Sequence, residues 1–281
     1  MEQYAEYISS IDIKALWRGG RHITWQLRPD INILSGINGV GKSTIINHSV
    51  RGLALRNGAP PLGAAEGGEL RSGEVEPGIT ITLHPSEATR MRFDVIRSFD
   101  RPLLHSDLLE KLADSRVRTE LDWQLYKLQK RYLDYQVNVG NRMIALLSTG
   151  RGEEAAQVAR PKAQFQDMVD SLFSDTHKAI DRSSNELQFL QNGDVLTPYQ
   201  LSSGEKQLLV ILTTVLVQDG QHYALLMDEP EISLHIEWQQ QLIQRIRQLN
   251  PNTQIILSTH SPALIMDGWT DVVTEVEDIT A

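Results

Sequence analysis

Apolar residues recur in strand-like alternation at the start of the chain. Ile8, Ile11 and Ile13, then Ile23, Trp25 and Leu27, then Ile31 and Ile33 share this pattern, because successive side chains of a strand point to opposite faces. It predicts two strands of an antiparallel lobe leading into a first parallel strand over Asp30 to Leu34. Ile79, Ile81 and Leu83 alternate, as do Met91, Phe93 and Val95. With His84 to Arg90 as the turn, they predict a hairpin. Leu187 to Leu190 and Val195 to Thr197 flank Asn192-Gly193, which signals a second hairpin. The runs Tyr223 to Met227 and Ile255 to Thr259 have the length and apolarity of buried strands.

Between the two hairpins the period changes, and residues 103–184 read as helical. Leu121, Leu125, Leu128, Tyr132, Tyr135, Val139 and Met143 lie three or four apart and make a narrow apolar seam. Thr149 to Gly152 break it, and Phe165, Met168, Val169, Leu172 and Phe173 offer a second face. The expectation is an antiparallel helix pair projecting from the body. Its first member, if continuous from Asp107 to Leu147, would be about 60 Å long at 1.5 Å per residue. Such a pair is either a packed subdomain or an arm for a partner or DNA. Trp238, Leu242, Ile246 and Leu249 form a further core-facing stripe. Asn57 to Gly78 is rich in glycine and proline, the composition of a surface loop.

The chemistry sits at the ends of the apolar runs. Gly36 to Ser43 reads GINGVGKS, the G-x-x-x-x-G-K-[ST] loop, between a strand and a helix over Thr44 to Leu55. Gly36, Gly39 and Gly41 let backbone N–H groups approach phosphate oxygens, and Asn38, Val40 and Thr44 complete the cradle. Lys42 suits the β- and γ-phosphates of ATP, and the Ser43 hydroxyl suits Mg²⁺. Asp228 and Glu229 follow the strand at Tyr223 to Met227. The aspartate fits the metal shell and the glutamate fits activation of the attacking water. His260 ends the next strand, where it can sense a γ-phosphate, and Ser261-Pro262 after it looks like a helix cap. Ser202 and Glu205 make a capping box ahead of the run Leu208 to Val217, and Ser203 and Gly204 lie at that helix start, an anion site.

The set GINGVGKST, LSSGEKQ, YALLMDE and STHSP resembles the nucleotide-binding domain of the ATP-binding-cassette superfamily. With DEPEISLH it resembles most the soluble RecF-, SMC- and OLD-like branch, over residues 5–57 and 195–270. The resemblance implies an α/β P-loop fold with a mixed sheet, an antiparallel β lobe and a helical insert. Residues 1–102 and 185–281 would form a discontinuous ATPase domain and residues 103–184 the insert. It implies hydrolysis of ATP with Mg²⁺, with Glu229, Lys42 and His260 catalytic and Ser43 and Asp228 on the metal. It also implies a homodimer sandwiching two ATPs, with Ser203-Gly204 of one copy facing the Lys42 loop of the other and Glu231 to His235 at the seam. Trp17 is the candidate for adenine stacking, and no glutamine is assigned to the Q-loop. The insert is far shorter than SMC arms, which argues against ring-type DNA entrapment. The alternative is the ATP-binding subunit of a membrane transporter. The serine-rich signature and the helical insert count against it.

Composition narrows this further. The chain has 281 residues, 41% hydrophobic, and no cysteine, which excludes disulfides and thiolate chemistry. No apolar stretch is long enough for a membrane span, and the N-terminus lacks the pattern of an export signal. A cytoplasmic location without a membrane is expected. A net charge of −9 argues against general adhesion to nucleic acid. Arg90, Arg92, Arg97 and Arg101, with Arg116, Arg118, Lys127, Lys130, Arg131 and Arg142, leave open a local nucleic-acid surface or a solvated helix face. The chain ends soon after the switch segment, with no room for the nuclease domain that OLD-like ATPases often carry. Effector activity, a nuclease or toxin, is therefore expected on a separate protein, in a DNA-repair or phage-defence system.

Overall fold

The computed structural model describes residues 3–16, 20–58, 78–98, 116–266 and 268–281. Trp17, Arg101, most of the glycine-rich segment and the expected helix start at Asp107 lie outside them. The described residues form a mixed α/β structure that divides into two compact units. One holds residues 1–96, 221–231 and 252–281, and the other holds 97–220 and 232–251.

The first unit contains two sheets. β1 (Tyr7–Leu16) pairs antiparallel with β2 (Arg21–Gln26) and with β4 (Ile79–His84). The five-stranded sheet has the order β11-β3-β10-β9-β5. Its members are β3 (Ile31–Ser35), β5 (Phe93–Arg97), β9 (Tyr223–Asp228), β10 (Thr253–Ser258) and β11 (Val273–Glu275). β10 runs parallel to both β3 and β9, and β11 runs parallel to β3. Every residue of β10, the middle strand of this sheet, is buried.

The expected hairpin over residues 79–95 does not form. Ile81 and Leu83 turn into the core beside Ile8, Ile11 and Trp25, and β4 takes the second edge of the ten-residue β1. β5 joins β9 instead, where the Ala224 N–H donates to the Arg92 carbonyl. Alternation specifies which face of a strand is buried and is silent about which strand lies beside it.

Helix α1 (Lys42–Arg56) buries Ile45, Ile46, Val50 and Leu53 in a core shared with Leu34, Leu226 and Ile256 of the parallel sheet. Gln254, fully buried, joins the two sheets. The Ile8 N–H donates to its side-chain oxygen at 2.8 Å, and its amide nitrogen donates to the carbonyls of Ile8 at 2.8 Å and Arg28 at 2.7 Å.

The second unit is mostly helical. α2 (Glu120–Ser148) begins at a capping box made by Thr119 and Asp122, so the expected first helix is not continuous from Asp107. Its 29 residues span about 44 Å. α3 (Gly152–Leu172) packs against it through Phe165, with the Tyr132 and Phe165 ring centroids 6.4 Å apart. The short strands β6 (Lys178–Ile180), β7 (Phe189–Gln191) and β8 (Asp194–Leu196) form an antiparallel sheet. The β7–β8 hairpin forms as expected, because Asn192 at φ 52° and Gly193 at φ 93° supply the two left-handed turn residues. α4 (Ser203–Leu216) is buried from Gly204 to its end, with Glu205, Lys206 and Gln207 buried among its apolar residues. α5 (Ile236–Leu249) contributes the stripe Leu242, Ile246 and Leu249. Trp238 of that helix lies 5.8 Å from the ring of Phe173.

Candidate functional site

Parallel register builds the site. Ser258 aligns with Leu34 on one side and with Asp228 on the other, while Glu275 of β11 aligns with Ser35. Four parallel strands thus end together, and the chain leaves each carrying polar groups, where open α/β sheets bind ligands. The glycine loop follows β3, the acidic pair ends β9, and Thr259-His260 follows β10.

Within the loop, Gly39 at φ 81° and Gly41 at φ 107° adopt the left-handed conformation. A side chain at Gly39 would meet nothing within 4 Å. That ground is open to a ligand and is kept so by the backbone. Gly41 is the N-cap of α1, no side chain caps it, and the first turn carries no acidic residue. The first N–H groups of a helix have no partner within it, so Gly41 to Thr44 form an anion cradle. Asn38 is exposed and Val40 buried.

Lys42 is 4% exposed. Its ammonium donates to the carbonyls of Gly36 at 2.9 Å and Ile37 at 3.3 Å, and to His260 Nε2 at 2.5 Å. Burial lowers the Lys42 pKa below its ordinary value, against the upward pull of Glu229, Asp228, Glu231 and Glu275.

Asp228 Oδ1 accepts from the Ser43 hydroxyl at 3.0 Å and also from the Ser258 hydroxyl. Glu229 sits at φ 48°, uncommon for a residue with a side chain. Its N–H donates to the Ser258 carbonyl at 3.0 Å, and its carboxylate lies 3.4 Å from His260 Nε2. Lys42, Ser43, Asp228, Glu229 and His260 are therefore brought together at the aligned ends of β3, β10 and β9.

These residues fit ATP with Mg²⁺. The glycine cradle and Lys42 suit phosphate oxygens, and Ser43 with Asp228 offers the hard oxygen ligands that Mg²⁺ takes. Among the described residues no group of three or more His, Cys, Asp or Glu side chains could hold a metal unaided. A magnesium ion that also uses substrate phosphates and water needs no such cage.

The resemblance sets Glu231 at the dimer seam and gives it no role beside His260. Its Oε1 accepts from the Thr259 hydroxyl at 2.5 Å, the His260 N–H at 2.9 Å and the Ser261 N–H at 3.2 Å. An acidic residue two places beyond Glu229, with a hydroxyl ending the neighbouring strand, was the available signal. Ser261 is the N-cap of the four-residue α6 (Pro262–Ile265), as its sequence suggests, though its side chain makes no capping bond.

The signature belongs to the second unit. Ser202 Oγ accepts from the Glu205 N–H and the Glu205 carboxylate accepts from the Ser202 N–H, so the capping box is present. Ser202 and Ser203 are exposed, whereas Glu205 is 2% exposed. Its carboxylate is occupied by Lys178 Nζ at 2.8 Å, Thr176 Oγ1 at 2.9 Å and Ser202. It braces the helix start, at which Ser202 and Ser203 are exposed. Burial raises the Glu205 pKa, but the hydrogen bonds from Lys178, Ser202 and Thr176 outweigh it and hold the carboxyl below its ordinary value. Lys206 pairs with the buried Asp122 of α2 at 2.8 Å. Gly204 is required by close approach, since a Cβ there would strike the Ser233 carbonyl.

The arginine groups are partly committed within their own units. Arg92 lies over the Tyr4 ring, Arg116 over Tyr199, and Arg142 pairs with Asp219 at 2.7 Å. Among the described residues no helix is long and apolar enough to cross a membrane.

Residues 68–267 match a family model described as "AAA domain, putative AbiEii toxin, Type IV TA system". The chain is 29% identical over 172 residues to "Retron Vc95 probable ATPase" of Vibrio cholerae serotype O1 biovar El Tor, covering 55% of this chain and 32% of that relative. It is 33% identical over 108 residues to "Septu protein PtuA" of Bacillus thuringiensis, covering 34% of this chain and 25% of that relative. The matched region thus spans a third or less of these relatives' lengths. An SMC head domain from Thermotoga maritima overlaps 96% of this chain and 94% of its own at a TM-score of 0.45 and 16% identity.

Proposed function

This chain belongs to the AAA-domain family described as putative AbiEii toxin, Type IV TA system; from that premise we propose that it is an ABC-type ATPase that binds and hydrolyses ATP between two copies of itself. The observation that carries the proposal is the convergence of Lys42, Ser43, Asp228, Glu229 and His260 at aligned strand ends. The N–H groups at the start of α1 and the Lys42 ammonium hold the phosphates. Ser43 and Asp228 would hold Mg²⁺, which when bound neutralises charge on the phosphate oxygens. Glu229 orients the attacking water and takes its proton, and His260 contacts the terminal phosphate. The exposed Ser202 and Ser203 at the braced start of α4 meet the nucleotide held by the partner copy.

The relatives' names and the family description support a role in a retron-, Septu- or toxin-type defence system. The effector activity lies on a separate protein, and the protein works in the cytoplasm. Glu229→Gln tests the hydrolytic reading. It should keep ATP affinity, reduce turnover at least about 10²-fold and accumulate ATP-bound dimers in light scattering. Unchanged turnover would remove Glu229 from this role.

A further inference from the structure

We propose that Glu231 is a positioning residue for His260, acting through the backbone of the segment that carries the imidazole. The inference rests on the ATPase reading above and adds a residue to it. A single carboxylate oxygen collects the Thr259 hydroxyl at 2.5 Å, the His260 N–H at 2.9 Å and the Ser261 N–H at 3.2 Å. The Ser261 N–H is shared with Thr259 Oγ1 at 2.9 Å, which closes the ring of bonds. Consecutive N–H groups converging on one anion make a nest, and here the anion is a side chain of the same unit. Charge-assisted bonds of this kind are roughly twice as strong as neutral ones.

The geometry gives the clamp a consequence. Thr259 is fully buried, directly follows the central strand β10 and donates its N–H to the Leu34 carbonyl of β3, so the segment is fixed on its upstream side by the sheet. Downstream, α6 is four residues long and Ser261 does not cap it with its own side chain. Glu231 supplies the second fixed point. Between the two anchors lies His260, whose Nε2 is 2.5 Å from Lys42 Nζ and 3.4 Å from the Glu229 carboxylate. The chain reverses roles over a short distance. Glu229 turns to the reacting edge through its left-handed backbone, the buried Pro230 follows, and Glu231 faces the next strand end. Releasing Glu231 frees the imidazole to drift, and a displacement of about 1 Å at a reacting centre can cost about 10²-fold in rate.

The test compares Glu231→Ala, Glu231→Gln and His260→Ala, alone and combined, in the full chain. Glu231→Ala should lower kcat about 10²-fold while the KM for ATP stays within about threefold. Glu231→Gln keeps an oxygen acceptor at the same reach and should recover most of the loss. In the His260→Ala background, Glu231→Ala should cost almost nothing more, because both changes remove one function. An equal loss in that background, or a raised KM with kcat retained, would overturn the proposal. Amide hydrogen exchange gives a readout independent of turnover. The N–H groups of His260 and Ser261 should lose protection in Glu231→Ala and keep it in Glu231→Gln, with exchange in α1 unchanged. Unaltered protection would overturn the clamp. A wild-type protein without turnover would instead defeat the ATPase reading, and exchange alone would then decide for or against the clamp.

Discussion

Replacing Lys178 by methionine keeps the length of the side chain and removes the ammonium that lies 2.8 Å from Glu205 at the start of the signature helix. The side chains of the pair are 13% and 2% exposed, so the carboxylate is left in a dry site. Breaking a buried pair in this way costs about 3–5 kcal/mol. Glu205 can instead take a proton. From an ordinary value of 4.5, protonation at pH 7 costs about 3.4 kcal/mol at 1.36 kcal/mol per pH unit, which caps the penalty of the unpaired charge. The surviving bonds from Ser202 and Thr176 bring the expectation to about 2–3 kcal/mol. The sign of the pH dependence follows. In the native protein the folded pKa lies below 4.5, so the carboxylate contributes stability that is present above that value and lost as pH falls through the folded pKa. In Lys178→Met the folded pKa rises, because burial is then opposed only by the bonds from Ser202 and Thr176, and the penalty on the charged form fades on acidification. At pH 5 the cap is about 0.7 kcal/mol. Urea denaturation at pH 7 and pH 5, with exchange in α4 as the local probe, reads both numbers. A loss below about 0.5 kcal/mol at pH 7, or one of the same size at both pH values, would refute the reasoning.

Three further outcomes follow from the same structure. Gly204→Ala places a methyl group against the Ser233 carbonyl, so the α4 start must shift; a stability loss of about 1–3 kcal/mol with impaired ATP-dependent dimerisation is expected from denaturation and light scattering. Lys42→Met removes an ammonium held in a 4% exposed site against its solvation preference; ATP binding by calorimetry should disappear while the thermal midpoint stays level or rises, a trade expected of strained functional groups. Gly193→Ala at φ 93° should cost about 1–2 kcal/mol in unfolding experiments and leave ATP turnover nearly intact.

The parts of the site legible in the sequence were those whose signal is local. The glycine loop, the apolar strands before Asp228 and His260, the Ser202–Glu205 box and the Asn192-Gly193 turn each declare themselves within a few residues. Contacts made across long separations did not. The partners of β4 and β5 were misassigned because alternation is blind to neighbours. Gln254 takes the place of ladder bonds between two sheets, and Lys178 and Asp122 neutralise Glu205 and Lys206 from far along the chain. No composition or period marks such residues, since their role is fixed only once the fold brings them together. Glu231 lies between these cases, adjacent to a motif yet meaningful only beside Thr259.

A chain without cysteine allows a direct measurement of how two copies meet. Ile37, 73% exposed in the glycine loop, and Ser203, exposed at the signature, can each be changed to cysteine in separate Glu229→Gln proteins, Ile37→Cys in one and Ser203→Cys in the other. The two are then mixed and treated with a short bifunctional maleimide. An ATP-dependent cross-link joining the two variants, absent with ADP, is the predicted result. An ATP-loaded dimer that never joins them would contradict the shared nucleotide site.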